Sequence, residues 1–241
     1  MNNEREDDSE AFDAQVKVVC DIYEEAGQLD AESGKHIISC DEKTGIQALE
    51  QAAPLRPMKP GSPEKREYEY IRHGTQTLIA SFDVATGQLF GTVGDSRTEV
   101  DFVQHVEQLI DTHPDDEWIF ILDQLNTHKS ETLVKMVHER CGLQLDLGVK
   151  GSKGILCSMK TRADFLQNES HRIRIIYTPK HCSWLNQVEV WFSILSRRVL
   201  KRGSFKSKEA LRQRLLNFID YFNKTLAKPF KWTYKGRPLC A

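Results

Sequence analysis

The sequence predicts an α/β fold in which a mixed central sheet of five strands is flanked by helices. Antiparallel strands come first in the predicted order of elements, and helices then alternate with strands through the rest of the chain. A continuous apolar run at 118–122 indicates a strand that is buried on both of its faces. Together these observations favour one open sheet over a sandwich or a helical bundle.

Size and composition exclude several classes of protein. The chain has 241 residues, of which 39% are hydrophobic, so it can bury a substantial core. No apolar run approaches the roughly 18 residues that a membrane helix needs. The N-terminus is acidic where a secretory signal is basic and then apolar, so we expect a cytoplasmic protein. The cysteines lack metal-knuckle spacing, which predicts reduced, mostly buried thiols.

The first fifty residues predict a helix and two short strands. Apolar residues recur at helical spacing over 12–28, within an otherwise acidic segment. Strands are predicted at 36–40 and 46–49, with a turn over 41–45 between them. This turn places Asp41 at the end of a strand.

An irregular loop, a hairpin and a helix are predicted next. Four of the eight prolines fall within 53–66, which is typical of an exposed loop. Apolar strands on both sides of Thr86-Gly87-Gln88 predict a β-hairpin over 78–93. Apolar residues at helical spacing then predict an amphipathic helix over 98–112.

The second half of the sequence alternates strands with helices. The buried strand at 118–122 ends at Asp123, which is the second acidic residue placed at a strand end. The polar, mixed stretch at 151–171 predicts neither a helix nor a strand. The remaining predicted elements are a helix at 129–141, a strand at 172–177 and amphipathic helices at 184–200 and 207–226.

Charge is divided unevenly along the chain. Residues 1–34 carry a net charge of −9, whereas 172–241 carry 16 basic and 3 acidic residues, a net charge of +13. Aromatic residues interleave with the basic ones, which suits a surface that neutralises phosphates and stacks bases. The alternative is a solvated basic helix face above an aromatic core. The residues expected to contact nucleic acid are Lys180, Arg197, Arg198, Lys201, Arg202 and Lys206.

Three acidic residues are candidates for a metal site. Asp41 and Asp123 occupy strand ends, where open α/β sheets place ligands. Glu189 lies on the predicted helix at 184–200 and has no basic residue three or four positions away. It could pair with a cation on another element. Alternatively, the three carboxylates hold a hard cation such as Mg²⁺, which prefers oxygen ligands and bridges substrate phosphates.

Three motifs follow one another along the chain, ISCDEKT at 38–44, ILDQLNTH at 121–128 and YTPKHCSWLNQVE at 177–189. With these motifs the chain resembles the catalytic core of a DDE transposase, from the bacterial insertion-sequence relatives of the Tc/mariner elements in the retroviral integrase superfamily. The tail at 230–237 also fits the family.

The resemblance implies an RNase H-like fold and a DNA-cutting enzyme. It implies that Asp41, Asp123 and Glu189 hold two Mg²⁺ or Mn²⁺ ions during cleavage and strand transfer at element ends.

The sequence departs from the family pattern at three points. Gln124 stands where the family usually has Asn after the second Asp. Asp123 and Glu189 are 66 positions apart, longer than usual, so 148–170 looks like an insertion. Only an acidic segment precedes Asp41, whereas family members usually carry an N-terminal helix-turn-helix region.

These departures shape the expected organisation of the chain. We expect a truncated reading frame or one half of a split protein, which binds DNA as a homodimer or together with a separate helix-turn-helix subunit. The expected parts are an acidic helical lead-in at 1–34, an RNase H-like catalytic domain at 35–205 and a basic C-terminal helix and tail at 206–241 packed on the core.

Two other functions compete with this interpretation. A Cys/His hydrolase would use Cys182 as nucleophile and His128 or His181 as base. An inactive or repurposed remnant would keep the fold and bind DNA without transposition. The missing recognition region favours the remnant, whereas the intact acidic triad argues against it. Among the histidines, His128 is the one expected near the site, because it follows Asp123 by five positions.

Overall fold

A computed structural model describes residues 9–29, 33–53, 58–61 and 69–234 of the chain. Its centre is a sheet of five strands in the order β3-β2-β1-β4-β5. β1 and β2 pair antiparallel, as do β2 and β3, whereas β4 runs parallel to both β1 and β5. The predicted mixed sheet is therefore confirmed. The strands are β1 (Lys35–Gln51), β2 (Tyr70–Asp83), β3 (Leu89–Gly94), β4 (Glu117–Leu122) and β5 (Ile173–Tyr177).

Helices cover both faces of the sheet. Along β4, Ile119 and Ile121 face a core shared with α1, α5 and α6, whereas Phe120 and Leu122 face a core shared with α2, α3 and α4. The continuous apolar run at 118–122 follows from this double burial. The α-helices in the described part of the chain are α1 (Ser9–Ala26), α2 (Glu99–Ile110), α3 (Glu131–Arg140), α4 (Met159–Leu166), α5 (Val188–Leu195) and α6 (Lys208–Thr225).

Helix caps and one glycine turn define several element boundaries. The Thr98 side chain accepts a hydrogen bond from the Asp101 N–H in a capping box that starts α2, and the Ser207 side chain accepts from the Ala210 N–H at the start of α6. The hairpin between β2 and β3 turns at Gly87, whose φ is +75°. A Cβ at this position would lie 2.1 Å from the backbone carbonyl carbon of Lys228, so only glycine fits.

β1 differs from its prediction. It is one strand of 17 residues, so the predicted turn over 41–45 is wrong, and Asp41 lies within the strand. Thr44 and Gly45 form an irregularity in the β1–β2 pairing, with Gly45 at φ +64°. A bulge of this kind bends a strand without ending it, and its composition is that of a turn. Parallel pairing with β4 does stop at Ser39, two residues before Asp41.

Two helical regions also differ from their predictions. Helix α4 lies within the stretch at 151–171, for which the sequence predicts no element, and a capping box between Ser158 and Thr161 starts it. The predicted helix at 184–200 is divided into three parts. A 3₁₀ turn covers Ser183–Leu185, α5 begins at Val188, and a π-helical turn covers Ser196–Leu200.

Other predictions have mixed outcomes. The helix predicted at 12–28 is confirmed as α1, and its Val16, Val19 and Tyr23 are buried in the core that α5 and α6 share. Most of the loop predicted at 53–66 lies outside the described residues. Within the described ranges, no helix is long and apolar enough to cross a membrane. The division at residues 34 and 205, and an insertion at 148–170, stay predictions.

Candidate active site

Asp41 and Asp123 lie at the same level of two neighbouring parallel strands, with Asp41 within β1 and Asp123 just after β4. The last pair in the β1–β4 ladder joins Ser39 to Ile121, and each aspartate comes two residues later. Side chains two apart on a strand point to the same face, so Asp41 shares the face of Ser39. Ile121 belongs to the core that contains α5. The strand pattern therefore directs both acidic residues towards the side of the sheet on which α5 packs.

A buried hydrogen-bond network fixes the start of α5 against β1. The Ser39 hydroxyl donates to Asn186 Oδ1 and accepts from the Val188 N–H at 2.8 Å. Asn186 Nδ2 donates to the Cys40 carbonyl at 2.9 Å and lies 3.5 Å from Asp41 Oδ2. Glu189 is the next residue on α5 after Val188. The network thus places Glu189 beside the strand that carries Asp41.

Helix α1 supports the same segment from outside the sheet. The Tyr23 hydroxyl donates to the Leu185 carbonyl at 2.8 Å and accepts from the Gln187 N–H at 3.4 Å. Tyr23 is 3% exposed, so these bonds are shielded from water. The 3₁₀ turn before α5 is therefore held from two sides, by α1 and by β1.

His128 connects Asp123 to a further buried acidic residue. Its Nδ1 lies 2.8 Å from Asp123 Oδ1, and its Nε2 lies 3.1 Å from Glu42 Oε1. The side chains of His128 and Glu42 are 0% and 2% exposed. The expectation that His128 lies near the site is confirmed. The role of Glu42 as the second partner of His128 was not predicted. The only sequence signal for it was its position next to Asp41.

The protonation of His128 follows from these contacts. Burial alone would lower the pKa of its imidazole, but hydrogen bonds to Asp123 and Glu42, with their negative charges, raise this pKa to about 9. Burial likewise works against the ionised carboxylate of Asp123, but hydrogen bonds from His128 and the Leu125 N–H hold its pKa below the usual value. His128 is thus a cation that positions an ionised Asp123.

Asp41 has the opposite electrostatic environment. Its side chain is buried, and this burial raises its pKa to about 7 despite a hydrogen bond from the Glu42 N–H. The negative charges of Asp123, Glu42 and Glu189 raise the pKa further. Asp41 therefore lies close enough to the other two candidate ligands to be repelled by both. A cation bound among the three carboxylates would relieve this repulsion.

The three candidate ligands do not converge on a single point. In the described part of the chain, the group whose ligand atoms all lie within 4.8 Å of one another is a different one, formed by His36, His113 and Asp116. Two-metal sites hold their ions about 3.5–4 Å apart, so their ligands spread over more than one position. A set of three carboxylates, coupled electrostatically and backed by a buried network, fits hard divalent cations.

Gln124 and Lys129 form a hydrogen-bonded pair near Asp123. Gln124 donates to the Thr178 carbonyl and accepts from Lys129 Nζ, each at 3.1 Å. Lys129 also lies over the Tyr177 ring, 4.8 Å from its centroid. Burial and the positive charge of Lys180 lower the pKa of Lys129, while Asp123 opposes this shift. Lys129 therefore lies near both Asp123 and Lys180.

Exposed basic residues extend from Glu189 along the protein surface. Arg197 and Lys43 line one shallow pocket together with Glu189, and Arg198, Arg202 and Arg214 line the next. All the predicted nucleic-acid contacts are exposed, and none forms an ion pair with another described residue. They are Lys180, Arg197, Arg198, Lys201, Arg202 and Lys206.

Most aromatic residues of the basic region are not available for base stacking. Trp184 and Tyr221 are each 48% exposed, but the other aromatic residues between positions 177 and 222 lie in the core. The expectation of an aromatic surface is therefore wrong for those core residues. They pack between the helices and the sheet, and they are Tyr177, Trp191, Phe192, Phe205, Phe218 and Phe222.

The geometry does not support a Cys/His hydrolase. Cys182 is 2% exposed within the core, and His128 contacts Asp123 and Glu42 instead of a thiol. His181 is exposed, with a φ of +62°. A nucleophile needs access to substrate and hydrogen-bond contact with its base, and Cys182 lacks the access.

Comparisons with known proteins assign most of the chain to one family. A family model for the DDE superfamily endonuclease matches residues 36–212, which include all three candidate ligands. No curated protein sequence matches the chain. The fold is similar to the catalytic domain of the Mos1 mariner transposase, with a TM-score of 0.53 at 10% identity, covering 91% of this chain and 83% of that one.

Longer Mos1 structures match over only part of their length. The Mos1 mariner paired end complex with Mn gives a TM-score of 0.53 at 13% identity and covers 88% of this chain. The Mos1 strand transfer complex gives 0.52 at 14% identity and covers 91%. This chain spans 56% and 55% of those two transposase chains. The likeness establishes an RNase H-like fold.

Proposed function

The chain belongs to the DDE superfamily of endonucleases, and we propose that it is the catalytic domain of a transposase that cuts and joins DNA at the ends of a mobile element. Its sheet and flanking helices form a DDE transposase core, as the motifs predicted. Beyond the enzyme class, we assign the reaction, the residues that bind the metal ions and the DNA substrate.

One observation carries the assignment of the site. Asp41 and Asp123 each come two residues after the last pair of the β1–β4 ladder, and the Ser39 hydroxyl accepts a hydrogen bond from the residue that precedes Glu189. Three acidic residues that are distant in the sequence are thereby directed to one side of the sheet. A buried carboxylate such as Asp41, whose neighbours are also acidic, is costly unless a cation offsets its charge.

We assign Asp41, Asp123 and Glu189 as ligands of two Mg²⁺ or Mn²⁺ ions. When bound, these ions would activate a water or a 3′-hydroxyl and stabilise the leaving oxygen at phosphorus. His128 keeps Asp123 ionised and oriented, and Glu42 holds the far side of that imidazole. A structure of similar fold, that of the Mos1 paired end complex, was solved with Mn.

The exposed cations supply the proposed DNA-binding surface. Arg197 lies beside Glu189 in one pocket, so a phosphate near the metal ligands would also be near a guanidinium. Lys129 offers a further charge near Asp123, and Lys180 lies near Lys129. The other expected DNA contacts come after Arg197 in the chain, in the π-helical turn and just beyond it; they are Arg198, Lys201, Arg202 and Lys206. The Mos1 complexes are transposase assemblies, which favours DNA as the partner.

A nicking assay on supercoiled plasmid tests the reaction. We expect cleavage by the full chain with Mg²⁺ or Mn²⁺ and none with chelator. Asp41→Asn, Asp123→Asn and Glu189→Gln should each abolish cleavage while leaving DNA binding nearly unchanged. Asp164→Asn is the matched control, because Asp164 is exposed on α4 and its loss should not change the rate.

A strand-transfer assay, run alongside the nicking assay, separates the transposase from a remnant. Strand transfer needs a 3′-hydroxyl end, so labelled oligonucleotides carrying element ends should become joined to target DNA if the proposal holds. A chain that binds DNA but neither nicks nor joins it with either metal would favour the repurposed remnant. The homodimer, a separate helix-turn-helix subunit and the cytoplasmic location stay predictions.

A further inference from the structure

A second group of metal-ligand side chains lies at the start of β1, away from Asp41. His36 is at the start of β1, and His113 and Asp116 belong to the turn between α2 and β4. One atom from each residue lies within 4.8 Å of the other two. Asp41 follows His36 by five strand residues, a distance of roughly 17 Å. This group is therefore independent of the proposed catalytic ions.

The hydrogen bonds around His113 leave one nitrogen available. The Thr112 hydroxyl donates to the Leu109 carbonyl at 2.7 Å, which leaves its oxygen to accept from His113 Nδ1, 3.0 Å away, when the imidazole carries its proton there. With its proton on Nδ1, His113 presents a lone pair on Nε2. A neutral imidazole with one nitrogen tied back in this way is the form that binds metals.

His36 has a carboxylate on each side of its ring. Nε2 lies 2.9 Å from Asp116 Oδ2, and Nδ1 lies 4.0 Å from Asp83 Oδ2. Asp83 is fixed by its other oxygen, which accepts from the N–H groups of Ala85 and Thr86. A carboxylate behind the far nitrogen of a histidine orients the ring and makes it a better ligand. At 2.9 Å the His36 Nε2–H donates to Asp116 Oδ2, so a cation beside Asp116 would replace this proton on Nε2, and the proton on Nδ1 would then face Asp83.

Trp118 holds both histidines in place before any ligand binds. Its ring stacks on His36, with centroids 4.1 Å apart and planes 20° from parallel. Its Nε1 donates to the His113 carbonyl at 3.1 Å. Trp118 itself is 1% exposed, so the platform is rigid. Arg172 fixes the third member by donating to the Asp116 carbonyl at 2.8 Å.

We propose that His36, His113 and Asp116 bind one Zn²⁺ ion that joins the α2–β4 turn to the start of β1. Two imidazoles and one carboxylate suit Zn²⁺, whereas Mg²⁺ prefers oxygen ligands alone. Tetrahedral ligands about 2.0–2.1 Å from zinc are about 3.3 Å apart, so the contact between His36 and Asp116 needs to open by only a few tenths of an ångström. Water takes the fourth position, because His113 is exposed.

Calorimetric titration with zinc chloride tests the site in a chain whose catalytic carboxylates are removed. The Asp41→Asn, Asp123→Asn background prevents zinc from binding there. We expect one Zn²⁺ per chain, and at least tenfold weaker binding after His113→Ala or Asp116→Asn. Asp115→Asn is the matched control, because it removes an equal charge from an exposed neighbour and should leave the affinity unchanged.

Thermal melting in the same background gives a second measurement. Zinc at about a hundred times its Kd should raise the Tm by roughly 5–10 °C, and His113→Ala should remove this rise. Because His113 is exposed, its replacement should not prevent folding, and Mn²⁺-dependent nicking by His113→Ala in the otherwise native chain should be unchanged. Absence of zinc binding, or equal binding by the His113→Ala variant, would overturn the proposal.

Discussion

The Ser39 hydroxyl accepts a hydrogen bond from the Val188 N–H at 2.8 Å and so joins the middle of β1 to the first residue of α5. Glu189 follows immediately, so this bond determines where the third candidate ligand stands relative to Asp41. Ser39 itself is fully buried, and water cannot replace its hydroxyl. Placement of the ligands thus depends on a residue that binds no metal.

Replacement of Ser39 by alanine should therefore reduce activity more than its effect on stability would explain. The substitution leaves Asn186 Oδ1 and the Val188 N–H without a partner, which costs about 1–3 kcal/mol of unfolding free energy. We expect the nicking rate to fall at least tenfold, because small displacements of a ligand carry large kinetic penalties.

Ser81→Ala is the control for this prediction. Ser81 is also buried, and its replacement removes a comparable hydrogen bond, which joins its hydroxyl to His105. Nicking rates at a temperature where both variants are folded distinguish the cases. Equal reductions in the two variants would mean that Ser39 supports the scaffold alone.

Asp41 should make the stability of the metal-free protein depend on pH. Its pKa is raised to about 7, so between about pH 4 and pH 7 the folded state binds more protons than the unfolded state. Stability therefore falls as the pH rises through this window. Asp41→Asn should remove the fall and make the metal-free protein more stable above pH 7 by about 2–4 kcal/mol.

Urea unfolding at several pH values in chelator measures this effect. The stabilities of the two proteins should coincide near pH 4 and separate by pH 7. Adding Mg²⁺ should reverse their order, because the cation offsets the charge of the native site. A constant difference across the whole range would mean that Asp41 does not titrate as its burial implies.

His128 should contribute stability with the opposite dependence on pH. Its pKa is raised to about 9, so its contribution is complete below about pH 6.5 and disappears as the pH rises through 9. His128→Asn should destabilise the protein by about 3 kcal/mol at pH 6, and by less at pH 10. The buried Glu42 carboxylate has no imidazolium partner in this variant.

A double-mutant cycle with Glu42→Gln isolates the interaction between Glu42 and His128. The double variant should be less destabilised than the sum of the single variants, because the unpaired buried charge is then absent. Additive effects at pH 6 would show that the two residues are not coupled. The nicking rate of His128→Asn should also fall, since the group that orients Asp123 is removed.

DNA binding should weaken when the exposed arginines after α5 are neutralised. Arg198→Gln and Arg202→Gln each remove a charge that has no acidic partner among the described residues. The slope of log K against log salt should become shallower by about 0.9 for each phosphate that the variant no longer neutralises. Lys224→Gln is the control, because Lys224 already pairs with Asp220. A slope that falls equally in the control would indicate a general charge effect.

Elements with one strong local signal were predictable from the sequence. A few neighbouring residues are enough to encode each of these elements, namely the buried run of β4, the hairpin at Gly87 and the amphipathic pattern of α2. The three acidic motifs also predicted secondary-structure positions for Asp41 at a strand, Asp123 after the next buried strand and Glu189 on a helix, although Asp41 lies within β1 and not at its end.

Features that depend on distant partners were not predictable. Gly45 has the composition of a turn, yet pairing with β2 carries β1 through it as a bulge. α5 begins late because Asn186 bonds to Ser39, a residue 147 positions away. His36 and Asp116 meet only after β1 pairs with β4. The aromatic residues of the basic region looked accessible because composition does not reveal which face of a helix is buried.

The two sides of the candidate site differ in how far they can move without global unfolding. β1 pairs with β2 on to Gln51, so the amide protons around Asp41 should exchange with solvent only when the whole sheet opens. Glu189 is carried by eight residues of helix between a 3₁₀ turn and a π-helical turn, and such a segment can open locally. In the proposed site Asp41 would thus be the fixed reference, and Glu189 would be the proposed ligand whose position adjusts while DNA enters and leaves.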